Sequence, residues 1–497
     1  MPSTAPQLTP PVADRSAAAG ALLAMLMALA TRLPFLPQQL HDHDSVNFAH
    51  ALQHFDLSRH SPHLPGYPLY VLLGRLAQAL GAESAAALAW PAAVGAMAAA
   101  AALAWWLAKT AGPLWALAGV ALYLSLPDLW LADARPLSDG LGAHLVTATA
   151  VLALASVSAG PQTLWLGRGA VLAAAALLAV RLSSWPVALG ILLWMVTAST
   201  SRQERWTRLG LFAAVTLAWL LPLAWLAGGP LPLWKLGAAF AQGHATQWRG
   251  DGPPLQTLEA AQLWLAHLWD GGAGLLAVAL LMARLAWPAA LQDRPPVAWL
   301  LALAMGYLAW MVLGQNPERS RHILPLVALL AVALLAVAGG RTHGRRRSIP
   351  LALSVLAVGA AAAVSVPRLH LQQSHPSPDV ALGSWLARQP AEGMLVLGGS
   401  EVGVVRWQAP AVRSLRVASA ADLRSMLGDP SARAPQLYAS SRVPGLAAAQ
   451  TAGLQLTAVA TFAARPGVDL AQQTLTLYRL QLPMGLALSP SRGEEHP

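Results

Sequence analysis

Apolar residues recur along this chain in blocks of about 18 to 23, parted by short stretches rich in charge, proline or glycine, from residue 16 to residue 366. A helix of that length crosses the roughly 30 Å of hydrocarbon in a bilayer. The pattern predicts about eleven spans, at 16–34, 86–108, 113–131, 140–159, 163–180, 183–199, 209–227, 272–290, 297–314, 322–339 and 349–366. The pair either side of Arg181 reads equally as one long, broken helix. The first block, SAAAGALLAMLMALA, follows Arg15 and ends in Ala-Leu-Ala as a cleaved signal peptide does. The further spans favour an uncleaved first helix.

After residue 366 the period changes: strand-length runs (MLVLGG, LTAVATFA, QTLTLYRLQL) alternate with helix-like stretches (DVALGSWLARQ, SAADLRSML). A small C-terminal α/β domain over 367–497 is expected. Gly-Gly-Ser at 398–400 follows a predicted strand but lacks the rest of a phosphate-binding fingerprint. The fold class is therefore a mainly α membrane protein: a polytopic bundle over 16–366 and a small α/β domain after it. No internal repeat is evident, which counts against transporter folds built from duplicated halves.

Composition agrees: 56% of the 497 residues are hydrophobic, 11% are charged and mean hydropathy is +0.49. Cysteine is absent, so disulfides and thiolate metal sites are excluded. The net charge of +10 is scattered between apolar spans, without the aromatic-interleaved basic patch that grips nucleic acid. No nucleic-acid partner is expected, and the surplus suits anionic lipid headgroups of the bilayer. Arginine clusters in SRQERWTR (201–208) and GRTHGRRR (340–347) predict the cytoplasmic side. Counting spans from either places residues 1–15 inside; the 35–85 loop, DARPLSD, the 228–271 loop, QNPERSRH and everything after residue 366 fall outside.

Polar chemistry collects in those outside loops. HDHDSVNFAHALQHFDLSRHSPHLPGYPLY (41–70) holds six histidines and three aspartates. Val46, Phe48, Ala49, Leu52 and Phe55 have the spacing of an amphipathic interfacial helix, with Asp42 and Asp44 at its N-terminus. A carboxylate there is a functional acid or simply an N-cap. Pro62, Pro65, Gly66 and Pro68 predict a stiff turn before a second amphipathic helix near Leu69. Asp133, Arg135 and Asp139 lie between two spans; charges at membrane depth are functional suspects or residues snorkelling at a helix end. Arg181 ends a span and is read as loop or cavity lining. Arg319, Arg321 and His322 lie on the outside, against the positive-inside tendency, where a guanidinium fork suits phosphate oxygens. His50 and His54, at i,i+4 near Asp42 and Asp44, have the spacing of a metal pair, so a divalent metal ion is a possible cofactor.

Taken together, the acid after the first span, the surface helix, HLPGYPLYVLLGRL beside an HPPGYPLY pattern, the acid in the second outside loop and RHILP beside a late RYLLP resemble the GT-C superfamily. The nearest branch is the family 39 type, which includes protein O-mannosyltransferases and the aminoarabinose transferase of lipid A. The resemblance covers residues 16–366 and implies an inverting glycosyltransferase of the plasma membrane with an extracytoplasmic site, a polyprenyl-phosphate sugar donor and an acceptor hydroxyl on a glycan, lipid or protein. On that pattern Asp44 is the base, and Asp139 assists it or orients the acceptor. Arg319, Arg321 and His322 hold the donor phosphate. His63, Tyr67, Arg135 and Arg181 shape the substrate cavity. Two departures stand out: Ser45 follows Asp44 where relatives often carry a second acid, and RHILP lacks the tyrosine. The carry-over to Asp44 slips to Asp42 in an alternative register. A transporter or flippase for a lipid-linked or sugar substrate is the competing class, and charges at midspan would favour it.

Overall fold

The computed structural model describes residues 11–158, 164–249, 257–270, 295–317, 319–338, 348–428, 435–469 and 474–481. The expected span at 272–290 and the arginine cluster at 340–347 lie outside the described residues. The chain divides into two compact units: residues 1–38 with 48–370, and residues 39–47 with 371–497.

The first unit is helical. Its elements are α1 (Pro11–Arg32), α2 (His43–Gln53, which begins in the second unit), α3 (Pro68–Ala79), α4 (Ser84–Thr110), α5 (Pro113–Ser125), α6 (Pro127–Asp133), α7 (Asp139–Ser158), α8 (Leu164–Val180), α9 (Trp185–Thr197), α10 (Arg202–Leu226), α11 (Pro230–Arg249), α12 (Thr257–Asp270), α13 (Pro295–Gly314), α14 (Leu324–Ala338) and α15 (Ser348–Ser374). Among the described residues seven helical runs are long and apolar enough to span a membrane, or eight if α5 and α6 form one bent span. This is a multi-pass membrane protein. Helices α8 and α9 are apolar but shorter. The last run, Ser354–Leu386, crosses the unit boundary: Leu382 and Leu386 at its end lie in the core of the second unit.

Alanine sets the packing of this bundle. Helix α4 carries Ala92, Ala93, Ala96, Ala99 and Ala100 buried, and it packs against α1, α5 and α7. With lipid as apolar as leucine, close backbone approach over small residues replaces hydrophobic drive between helices. Beyond α4, α7 packs on α8 and α14, and α13 on α9 and α14. The large apolar side chains left exposed, such as Leu22, Leu26, Leu217 and Leu221, are those a lipid would cover. Pro127 breaks the run expected over 113–131, and α5 and α6 meet at 66°. The bend makes Asp133 the last residue of a buried helix, where the sequence suggested a loop.

The 35–85 loop contains α2 and α3, as expected; Val46, Phe48, Ala49 and Leu52 are buried, while Phe55 falls after the end of α2 and is half-buried. On α3, Tyr70 and Val71 turn inward while Leu72, Leu76 and Leu80 are exposed.

The second unit is a five-stranded sheet in the order β2-β1-β3-β5-β4, built from β1 (Met394–Gly398), β2 (Arg413–Arg416), β3 (Gln436–Ser440), β4 (Gln455–Phe462) and β5 (Leu475–Gln481). Strands β1, β2 and β3 are parallel, while β5 runs antiparallel to β3 and to β4. Helices α16 (Pro378–Leu386), α17 (Val402–Gln408), α18 (Ala420–Gly428) and α19 (Leu446–Thr451) connect and cover it. Strand β1 is buried on both faces: Leu395 and Leu397 join a core with Leu423 and Leu437, Met394 and Val396 one with Leu382 and Val405. Covering both faces is what parallel strands require.

Candidate functional site

In the first unit, three chain breaks bring four of the expected residues together. Asp139 opens α7; Arg181 follows α8 in extended backbone; Arg321 and His322 lie in the 3-10 turn Ser320–Ile323 that leads into α14. Arg181 Nη1 pairs with Asp139 Oδ1 at 2.8 Å, and Arg321 Nε lies 4.0 Å from the same oxygen. Arg181 Nη2 donates to His322 Nδ1 at 3.3 Å, which leaves the imidazole proton on Nε2. The stem of Arg181 crosses α7 at Gly142, where an added Cβ would sit 3.1 Å from its Cδ. Tyr307 Oη donates to the His322 carbonyl at 2.8 Å, His267 Nε2 to the Pro317 carbonyl at 2.8 Å, and Trp310 Nε1 to the Ser183 carbonyl at 3.0 Å. These bonds fix the loops that carry the arginines.

Asp139, Arg181 and His322 are buried, and Arg321 is largely so. Two guanidinium groups face one carboxylate, and a planar fork of donors matches phosphate geometry. Arg319 is half-buried at the start of the same turn. Arg135 is half-buried between α6 and α7, its carbonyl accepting the Leu137 N–H at 2.8 Å. His63 and Tyr67 form a separate pair: His63 Nε2 lies 3.2 Å from Tyr67 Oη, and the Phe48 ring packs edge-on against Tyr67 and Tyr70.

The bundle also holds a charged network of which the sequence singles out only Asp133. Arg32 Nε pairs with Asp133 Oδ2 at 2.9 Å, and His144 Nε2 donates to Asp133 Oδ1 at 2.7 Å. Tyr123 Oη sits between His144 Nδ1 (2.6 Å) and Thr147 Oγ1 (3.0 Å), while Arg32 Nη1 donates to the Leu124 carbonyl at 2.9 Å. All five residues are buried. Three ionisable side chains within or at the end of apolar runs were the available signal.

Asp44 belongs to the second unit. The N-cap role falls to Asp42: its carbonyl accepts the Val46 N–H, its Oδ1 accepts the Ser45 N–H at 2.8 Å, and Ser45 Oγ accepts the Asp42 N–H at 3.0 Å. That reciprocal pairing is a capping box with serine in the usual glutamate position. Asp44, one residue into the helix and half-buried, is therefore not the cap.

Elsewhere in this unit Arg442 Nη1 pairs with Asp379 Oδ1 at 2.5 Å and lies 4.0 Å from Glu401 Oε2. Glu401 also accepts the Gly399 N–H at 2.8 Å and the Ser440 hydroxyl. Its carboxylate thus fills the Gly-Gly-Ser turn. Burial pushes Asp379 up to about 6, against the opposing pull of Arg442 and with smaller contributions from the Glu401 and Asp42 charges. Among the described residues no group of three or more histidine, aspartate or glutamate side chains could hold a metal ion, so the His50/His54 spacing does not extend to a metal site there.

No family model matches the chain, and no curated protein matches it by sequence. Solved structures do. ArnT from Cupriavidus metallidurans bound to undecaprenyl phosphate superposes with a TM-score of 0.57 over 92% of this chain and 97% of ArnT, at 12% identity. The chain shares its fold with ArnT. In its apo state ArnT gives a TM-score of 0.55 over the same shares of both chains, again at 12% identity. The Archaeoglobus fulgidus oligosaccharyltransferase, tethered to an acceptor peptide, gives 0.50 over 80% of this chain at 14% identity; this chain spans 64% of its length. The likeness to ArnT takes in nearly all of both chains, and the GT-C resemblance read from the loops is met at the level of the fold.

Proposed function

We propose that this protein is an inverting glycosyltransferase that moves a sugar from a polyprenyl-phosphate donor to an acceptor hydroxyl. The convergence of Arg181, Arg321 and His322 around Asp139, in a chain with the fold of ArnT, is the observation that carries the reading. ArnT was solved with undecaprenyl phosphate, and a buried cluster of arginine donors at helix ends suits such a headgroup. Arg321, with Arg319 and His322, takes the donor phosphate, and Asp139 holds Arg181 and Arg321 in register for it. His63, Tyr67 and Arg135 shape the substrate space.

The reaction is a single displacement. The acceptor oxygen attacks the anomeric carbon as its proton passes to the Asp44 carboxylate; the carbon–oxygen bond to phosphate breaks, and polyprenyl phosphate leaves with the electron pair. Asp44 is favoured over Asp42 because Asp42 is engaged as the helix cap. The topology that goes with this reading has eleven spans in the plasma membrane, residues 1–15 in the cytoplasm, and the 35–85 loop and residues 367–497 outside.

Mass spectrometry of envelope glycans, lipids and glycoproteins, with the intact chain and with none, tests the activity. A sugar substituent that appears only with the intact chain is expected. An unchanged envelope, together with movement of a lipid-linked sugar across vesicles, would replace the enzyme with the transporter reading.

A further inference from the structure

The strand order of the second unit creates a place that its own ligand-binding logic leaves to be explained. In open α/β sheets a crevice forms at the carboxyl ends of the strands where the order reverses, and ligands lie there. With the order β2-β1-β3, that point falls between β1 and β3. The loops concerned are Gly399–Glu401 after β1 and Ser441–Gly445 after β3; a Cβ on Gly399 would lie 3.1 Å from the Arg442 carbonyl oxygen.

Two residues of the segment 41–44 touch the starts of α16 and α17, the helices beside these loops. Ser377 Oγ donates to the His41 carbonyl at 2.7 Å, across 336 residues of sequence. Ser377 is the cap of α16, which fixes its position. Gly403, in the first turn of α17, lies so close to the His43 ring that an added methyl group would overlap Nδ1 and sit 3.1 Å from Cε1. Beside them, Arg442 ties Asp379 of α16 to the loop after β3 and approaches Glu401 of the loop after β1. Residues 39–47, which include the first turn of α2, accordingly group with residues 371–497.

We propose that Gly403 and Ser377 are positioning residues for the Asp44 segment: the switch-point crevice of the α/β unit holds residues 41–44 of the same chain in place of a ligand. The proposal rests on the reading of Asp44 as the base. It gives the C-terminal unit a role in the reaction. Asp42 then caps α2 from a fixed point, and Asp44 follows it by two residues at a set angle.

Hydrogen exchange on the full chain in lipid nanodiscs, with envelope product measured in parallel, tests this. Ser377→Ala should speed exchange of the amides of residues 44–47 about fivefold, the loss of one hydrogen bond, while amides of α7, β1 and β3 keep their protection. Gly403→Ala should speed it more and lower product about tenfold or further; adding His43→Ala, which removes the overlap, should restore both. If Gly403→Ala fails to fold, judged from β1 and β3, Ser377→Ala decides alone. Unchanged exchange at 44–47 overturns the proposal. So does faster exchange with full product, or a loss that His43→Ala does not reverse. Asp44→Asn run alongside separates the two readings: if it keeps full product the base assignment fails, whatever the exchange data say.

Discussion

The buried pair Arg32–Asp133 offers a prediction whose sign and size follow from geometry. Asp133 accepts from Arg32 at 2.9 Å and from His144 at 2.7 Å, with all three side chains out of solvent. Replacing Asp133 with leucine leaves the Arg32 guanidinium buried beside an apolar group. An uncompensated buried charge costs about 3–5 kcal/mol. Arg32→Met is milder, because His144 still donates to the carboxylate; losing one charge-assisted hydrogen bond costs about 1.5–3 kcal/mol. The double variant removes both charges and should be less destabilised than Asp133→Leu alone, so the coupling energy exceeds the Arg32→Met cost and is at least about 1.5 kcal/mol. Unfolding in mixed micelles with rising SDS, followed by the fluorescence of the 20 tryptophans, measures all three. Additivity of the single effects within about 0.5 kcal/mol would refute the reasoning, since independent sites add and paired charges do not.

Binding of undecaprenyl phosphate to the protein in nanodiscs, measured by microscale thermophoresis, should weaken about 10- to 100-fold in Arg321→Ala and less in Arg321→Lys, which keeps the charge but loses the fork. Equal affinity in all three would remove Arg321 from the phosphate site. The C-terminal unit should lose stability as pH rises from about 4 to about 6: folded Asp379 keeps its proton to about 6, while the unfolded carboxyl releases it near 3.8, so folding takes up a proton in that window. The change is about 3 kcal/mol. Protection of the β1 and β3 amides, corrected for intrinsic exchange, should therefore fall across that range, and Asp379→Asn should flatten the profile.

The residues of the arginine cluster were legible one by one, because a charge that interrupts an apolar run is visible as such. Asp139, Arg181, Arg321 and His322 each stand at a break between helices. What joins them is not in any local pattern: the Arg181–His322 contact bridges 141 residues. Asp133 stood out as a charge between spans, but its pairing with Arg32 and His144 was hidden for a different reason. A straight span over 113–131 puts Asp133 in a loop, whereas Pro127 turns the chain and carries Asp133 into the bundle. His144 lay inside a run apolar enough to hide it. The sequence left Asp42 and Asp44 open as cap or acid, and hydrogen-bond directions assign the cap to Asp42. The tie between residues 39–47 and the C-terminal unit rests on contacts more than 300 residues apart, such as Ser377 to His41, so no periodicity foretells it.

The most direct test is Asp44→Asn in cells and in purified protein. Loss of a general base lowers turnover about 10²- to 10⁴-fold, so the dependent envelope substituent should all but vanish, while purified protein keeps its thermal unfolding midpoint and binds undecaprenyl phosphate within about twofold of the parent. Full substituent with an asparagine at position 44 would contradict the account.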